Sequence, residues 1–140
     1  RRKLEYTAHD TVIAFSNGKK KAVLIKAADK RKIQEKFREI GKGRIYVFRT
    51  FAYLIFKLLK DEDFQEIIID IEYPGRGDIV KNYLLEDFKK YGREVDPQNI
   101  RFHLIGKNCE AHWHSYYVFN GQRKPELTVN FKELLNELVQ

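Results

Sequence analysis

Two acidic side chains, Asp70 and Glu72, end the apolar run at residues 67–69 and lie two residues apart. Residues two apart on a β-strand project from the same face, roughly 6 to 7 Å apart, so both carboxylates are expected to point in one direction. Two like charges at that distance repel, and a divalent cation between them would replace repulsion with coordination. The spacing predicts Asp70 and Glu72 as ligands of Mg²⁺ or Mn²⁺. Two hydrated carboxylates, or one paired with Arg76, are the alternative.

Polar residues also follow the next predicted strand, in the run HLIGKNCEAHWHS that begins at residue 103. Because the carboxyl ends of neighbouring parallel strands meet at one crevice, Lys107, Glu110 and His112 are expected near Asp70. Lys107 could hold an anion at the start of a helix, and His112 could bind a metal or transfer a proton near neutral pH. Ordinary surface roles are the alternative for each. The candidate catalytic residues are Asp70, Glu72, Glu110 and His112.

The same run contains Cys109, His112 and His114, which are residue types that bind zinc. His112 and His114 are two residues apart and so point away from each other on a helix, and the chain has no second cysteine. The aromatic residues from Trp113 to Phe119 are more typical of a buried helix face than of a surface on which bases stack. This segment therefore predicts neither a zinc site nor a stacking surface.

The net charge of +7 is divided unevenly along the chain. Residues 1–60 carry 17 Lys or Arg against 5 Asp or Glu, a net +12, whereas residues 61–140 carry 10 against 15, a net −5. A basic half favours an anionic partner such as nucleic acid, because neutralised phosphates release counterions. A solvated basic surface is the alternative. The expected phosphate-binding residues are Lys19, Lys20, Lys21, Lys30, Arg31, Lys32 and Lys107.

Strands and helices must position these side chains. Two β-rich runs, 11–15 and 21–27, flank Asn17-Gly18 and predict a hairpin. A helix with an Asp29 N-cap is predicted to end at Gly41. The later elements are predicted as a strand at 44–48, a buried helix at 50–60, a strand at 66–73 covered on both faces, a helix from Asp78 to Gly92, a strand at 100–106, a helix from Asn108 to Gly121, and a helix at 131–139 capped by Asn130.

This order of elements predicts one α/β domain over residues 1–140, with a mixed sheet, helices on both faces and a flexible segment at residues 1–9. Arg49 and Lys57 interrupt the longest apolar run before it reaches the roughly 20 residues of a membrane span, so we expect it to be core. A single cysteine fits a reducing compartment, and a cytoplasmic location is expected.

The hairpin, the acidic strand end and the strands and helices that follow, over most of residues 10–120, resemble the ribonuclease H-like nuclease superfamily. That resemblance implies two metal ions held by carboxylates, with Asp70 at the end of the fourth strand and Glu110 or His112 on the closing helix. This chain departs from the family pattern in having Ser16 and Asn17 where the first strand normally ends in Asp. The helix at 50–60 also lacks the usual carboxylate, and the basic helix at 29–40 would be an insertion.

We therefore expect a divalent-metal-dependent nuclease, or a related nucleic-acid processing domain. In this hypothesis Asp70 and Glu72 hold the cation, Glu110 or His112 completes the site, and the basic half binds the phosphate backbone. The alternative is a non-catalytic α/β domain that binds nucleic acid or a protein partner and whose acidic pair is structural.

Overall fold

The structure, a computed structural model, describes residues 3–139, so Arg1, Arg2 and Gln140 lie outside the described residues. It is a mixed α/β fold, as the sequence predicts. The elements in chain order are β1 (Thr11–Ser16), β2 (Lys20–Ile25), α1 (Ala27–Glu39), α2 (Tyr46–Leu59), β3 (Ile67–Asp70), α3 (Gly77–Lys90), β4 (Ile100–His103), α4 (Glu110–Phe119), β5 (Leu127–Val129) and α5 (Phe131–Leu138).

A three-stranded sheet with the order β1-β2-β5 contains the predicted hairpin. β1 and β2 pair antiparallel, from Thr11 opposite Ile25 to Ser16 opposite Lys20. Gly18 turns the chain with a φ of 83°, a conformation that glycine adopts without a steric penalty. β5, which the sequence did not predict, pairs in parallel with the second half of β2.

A separate two-stranded sheet is formed by β3 and β4, which pair in parallel from Ile67 opposite Ile100 to Asp70 opposite His103. Ile67 and Ile69 are buried, but Ile68 is 50% exposed. The prediction that this strand is covered on both faces is therefore wrong. Its isoleucines alternate between the core and an exposed face that also carries the exposed Arg101.

The ends of β1 and β3 show how the two sheets are oriented. Lys19, in the hairpin turn after β1, forms a 2.6 Å ion pair with Glu62, which precedes β3. At the other end, Lys3 Nζ donates to the Glu72 carbonyl, beyond the end of β3, at 3.4 Å. Lys30 Nζ donates both to the Lys3 carbonyl and to Thr11 Oγ1, which places Lys3 beside the start of β1. β1 therefore runs antiparallel to β3 although the two strands do not pair.

Helices cover both faces of the three-stranded sheet. Ile13, Val23 and Ile25 point into the main core with residues of α1, α2, α3 and α5. The alternate residues Val12 and Ala22 pack instead against Val118 and its neighbours on α4. Because side chains alternate along a strand, α4 lies on the opposite face of this sheet from α1 and α2.

α2 is the centre of the main core, since eleven of its residues are buried on all sides of the helix. It begins at Tyr46, after a short 3-10 helix at Gly43–Ile45, so the predicted strand at 44–48 is wrong. The β-forming residues there join the helix because Tyr46 is buried and its hydroxyl donates to the Leu4 carbonyl at 2.9 Å. Leu4 is itself buried, so part of the expected flexible segment belongs to the core. Within residues 3–139, α2 and the other helices are too short or too polar to cross a membrane.

Two of the predicted helix caps are replaced by other residues. Lys26 is the N-cap of α1, and the Asp29 carboxylate instead accepts a hydrogen bond from the backbone N–H of Phe131 at 2.9 Å. Cys109, rather than Asn108, precedes α4. The cap of α5 is confirmed, because Asn130 Oδ1 accepts from the Glu133 N–H at 2.9 Å.

One buried ion pair joins α2 to α3. Both guanidinium nitrogens of Arg49 donate to the carboxylate of Asp87, at 2.9 and 2.7 Å, and both side chains are buried. Burial raises the pKa of Asp87, although the hydrogen bonds from Arg49 act in the opposite direction.

We predict that Asp87→Ala lowers the free energy of unfolding by about 3 to 5 kcal/mol, because it leaves the Arg49 charge buried without its partner. Urea unfolding of the wild type and the variant measures this difference. The control is the double variant Arg49→Met with Asp87→Leu, which removes both charges and should recover most of the loss. A double variant as unstable as Asp87→Ala would contradict the argument.

Candidate functional site

A cleft lies between the facing edges of β1 and β3, with a volume of about 500 Å³. Consecutive residues of both strands line it, from Ile13 to Asn17 and from Glu66 to Asp70, so the strand edges rather than single faces border the cleft. Ile55 and Leu58 of α2 line its apolar side, while His112 and Ser115 of α4 contribute polar atoms. The cleft exists because β1 and β3 belong to separate sheets and do not pair with each other.

Asp70 lines this cleft at the carboxyl end of β3, and one of its oxygens accepts a hydrogen bond from the Ile105 N–H at 3.0 Å. It also lines a second cavity of about 100 Å³ together with Glu72, Tyr73 and Phe102. Asp70 and Glu72 therefore line one small cavity, but Ile71 lines it too, and β3 ends at Asp70 rather than at 73, so the two residues do not share a strand face as predicted. Asp70 and Phe51 line both the cavity and the cleft.

The start of α4 is held against the end of β1. The Ala111 N–H donates to Ser16 Oγ at 3.2 Å, and the His112 N–H donates to Cys109 Sγ at 3.4 Å. His112 is half-buried and lines the cleft that Asp70 also lines. Glu110 is exposed and lies outside the lining of the cleft and of the small cavity. Of the two candidates on this helix, His112 is the one that lines the same cleft as Asp70.

A part-buried cluster around His114, which the sequence did not predict, helps to fix the rotation of α4. His114 is buried, its Nε2 lies 2.7 Å from Glu126 Oε1, and Arg123 lies 3.2 Å from its Nδ1. Because arginine only donates, Nδ1 is the acceptor and the ring proton is on Nε2. Burial acts to raise the pKa of Glu126, but hydrogen bonds from His114 and from the Ala22 N–H outweigh it and hold that pKa below its usual range. This cluster ties α4 to β2.

The side chains present do not make a complete two-metal site. No group of three or more His, Cys, Asp or Glu side chains suited to a metal ion occurs among residues 3–139. Asp70 and Glu72 meet the simpler requirement of a single Mg²⁺, which binds through one or two carboxylates and completes its shell with water and phosphate oxygens.

The seven expected phosphate-binding residues do not form one surface. Lys19 and Lys21 both pair with Glu62, at 2.6 and 3.6 Å, and the hydrogen bond from Lys19 lowers the pKa of Glu62. Lys30 is fully buried, so its ammonium is not presented to solvent. The exposed members are Lys19, Lys20, Arg31, Lys32 and Lys107.

The aromatic residues of α4 are placed differently from the expectation that they are core. Trp113 is 45% exposed and Tyr116 is 44% exposed. The sequence could not show this, because the rotation of α4 is set by His114 and Glu126 rather than by an apolar stripe. The same rotation that directs His112 to the cleft directs Trp113 to solvent.

No protein-family model, curated protein or solved structure matches this chain. The likeness to ribonuclease H-like nucleases therefore stays a prediction from the sequence, and function has to be argued from the side chains themselves.

Lys30 belongs to the basic half of the chain, but its ammonium group is buried and bound inside the protein. Its ammonium donates to the Tyr6 carbonyl at 2.7 Å and to Thr11 Oγ1 at 2.8 Å. Burial lowers the pKa of Lys30 from 10.5 to about 8, against the attraction of Asp10 and Glu5. The unfolded chain therefore binds one more proton than the folded chain between these two pKa values.

We predict that the free energy of unfolding gains a favourable contribution from Lys30 as pH rises from about 8 towards 10.5, because unfolding then requires uptake of a proton. Urea unfolding of the wild type and of Lys30→Met, compared at about pH 7 and about pH 9.5, isolates this contribution. The free energy of unfolding of the wild type, relative to that of Lys30→Met, should be larger at the higher pH. A difference that is independent of pH would contradict the lowered pKa.

Proposed function

We propose that this domain binds nucleic acid and that α1, with the turn that follows it, holds the phosphate backbone. The observation that carries the proposal is the excess of cations in residues 26–44, which contain eight Lys or Arg, one of them the buried Lys30, against three Asp or Glu. The exposed cations of this segment, here called the α1 basic surface, are Lys26, Arg31, Lys32, Arg38, Lys42 and Arg44.

Few acidic groups oppose these cations. Asp29 is half-buried and accepts the Phe131 N–H, so it is directed towards α5. Glu39 pairs with Lys36 at 3.4 Å, which leaves Glu35 as the remaining acidic residue of the helix. Cations in such excess attract phosphates at long range and release counterions when they bind them.

The helix also supports its cations rigidly. Ile33 and Phe37 on the inner side of α1 are fully buried in the main core. Arg31 donates to the Thr7 carbonyl at 2.8 Å, which fixes one of the exposed guanidinium groups. A cation fixed in position loses less side-chain entropy when it binds a phosphate than a free one does.

We predict that the double variant Lys32→Ala with Arg38→Ala weakens binding of duplex DNA and lowers the magnitude of the salt slope by about 2, because two phosphate contacts are lost. Fluorescence anisotropy of a labelled duplex, titrated at several salt concentrations, measures both quantities. Both residues are exposed, so the fold should be unaffected.

The matched control is Lys89→Ala with Lys90→Ala, which removes two exposed lysines from the end of α3, in the other half of the chain. The control should retain the wild-type salt slope although it has the same net charge as the test variant. An equal loss in both double variants would show that net charge alone drives binding, and would contradict a site on α1.

Phosphodiester cleavage is a second candidate function. The observation that favours it is the placement of Asp70 and Glu72 on one cavity at the carboxyl end of β3. A bound Mg²⁺ would supply Lewis-acid stabilisation of the phosphate charge. Asp70, oriented by the Ile105 N–H, and Glu72 would hold the ion, and His112 on the cleft side is a candidate for proton transfer.

We predict that Asp70→Asn abolishes any Mn²⁺-dependent cleavage of a labelled oligonucleotide while its salt-dependent binding stays unchanged. Asparagine can still accept the hydrogen bond from Ile105 but carries no charge, so the loss would report on the ion. Asp63→Asn, at an exposed carboxylate before β3, is the control and should cleave like the wild type. Equal cleavage by the wild type and by Asp70→Asn would exclude this candidate site.

A further inference from the structure

Two large aromatic side chains are exposed side by side on α4. Trp113 and Tyr116 are separated by three residues, so they lie on one face of the helix, and nearly half of each is in contact with solvent. Tyr117 completes the group, here called the α4 aromatic cluster. Exposed aromatic rings of this kind are the groups on which unpaired bases stack.

The cluster is rigid before any partner binds. The Trp113 ring lies 5.8 Å from the Tyr116 ring and 6.2 Å from the Tyr117 ring, and the two tyrosine rings are 5.6 Å apart. The helix beneath is fixed at its start by Ser16 and along its length by the bond between His114 and Glu126. Aromatic rings held in place lose little entropy on binding.

The segment that contains the α4 aromatic cluster is positively charged, although residues 61–140 as a whole carry a net negative charge. Residues 61–100 carry 5 Lys or Arg against 11 Asp or Glu, and residues 125–140 carry 1 against 3. Between them, residues 101–124 carry 4 against 1, a net +3. Lys107, Arg123 and Lys124 are exposed at the two ends of α4, and Arg123 also lies over the Tyr117 ring at 4.6 Å. Positive charge therefore borders the rings on both ends of the helix.

We infer that the α4 aromatic cluster binds single-stranded nucleic acid, with bases stacked on Trp113 and Tyr116 and phosphates held by Lys107, Arg123 and Lys124. Bases present their faces to aromatic rings only when they are unpaired, so a single strand fits this surface and a duplex does not. The inference rests on the proposed function for its class of ligand. It assigns a different surface, because α4 and α1 lie on opposite faces of the three-stranded sheet.

Trp113 itself supplies the measurement, since the chain contains one tryptophan. Oligothymidylate of about ten nucleotides, comparable with known single-strand site sizes, is titrated into the full chain while Trp113 emission is followed. Stacking of a base on the indole should quench that emission to saturation, and added salt should reverse the quenching.

Tyr116→Ala should weaken oligothymidylate binding about tenfold, in line with the loss of one stacked base. Tyr6→Ala is the matched control, because Tyr6 is 56% exposed and lies far from α4 in the sequence, and it should bind like the wild type. Trp113→Phe, followed with a labelled oligonucleotide, keeps a ring at that position and should retain most of the affinity, whereas Trp113→Ala should not. Circular dichroism of each variant establishes that the fold is intact.

Absence of quenching, or equal affinity of wild type and Tyr116→Ala, would overturn the inference. A shift of Trp113 emission that depends on protein concentration alone would also overturn it, because a second copy of the chain would then cover the cluster. Lys32→Ala with Arg38→Ala should reduce duplex binding and leave the quenching unchanged. Quenching without any salt-dependent duplex binding would sustain the single-strand surface while refuting the role of α1.

Discussion

The burial of α2 is the constraint on which the rest of the structure depends. This helix is apolar on nearly all sides, so neighbouring elements must cover it completely to remove that surface from water. Residues of β1, β2 and β3 contact the same core as α1, α3 and α5. One helix thus forms the core for two sheets, and the cleft between β1 and β3 lies where Ile55 and Leu58 of α2 face the junction. The position of the candidate site is a consequence of packing around α2.

Elements with strong local signals could be predicted from the sequence, and elements that depend on distant contacts could not. Asn17-Gly18 and the Asn130 cap act within a few residues, and both have the expected roles. The segment at 44–48 has β-forming side chains, but the contact of Tyr46 with Leu4 joins residues 42 positions apart and the segment becomes helical. β5 is three residues long and exists because β2 offers it an edge, which no local pattern could reveal.

The candidate site also combines features that depend on local sequence with features that depend on distant contacts. Asp70 and Glu72, two residues apart, line one cavity, but strand alternation does not account for it, because β3 ends at Asp70 and Glu72 lies beyond it, although the sequence predicts a strand at 66–73. The choice between Glu110 and His112 could not be predicted, because it depends on the rotation of α4. That rotation is fixed by His114 and Glu126, which are 12 residues apart and belong to different elements. A histidine whose spacing first suggests zinc is instead buried and links α4 to β2 through Glu126.

The separation of the basic and aromatic surfaces follows from the alternation of β1 and β2. Residues such as Ile13 and Ile25 face the main core, and α1 packs in that core on the same side of the sheet. Their other face includes the small residues Ala14 and Ala22, which receive α4. Val12 and Leu24 lie on this face too, and α4 packs against it through Val118 and Phe119, while Trp113 and Tyr116 lie on the outer side of the helix. The basic and aromatic surfaces therefore lie on opposite faces of one sheet, so the duplex proposed to bind at α1 and the single strand proposed to bind at α4 would not obstruct each other.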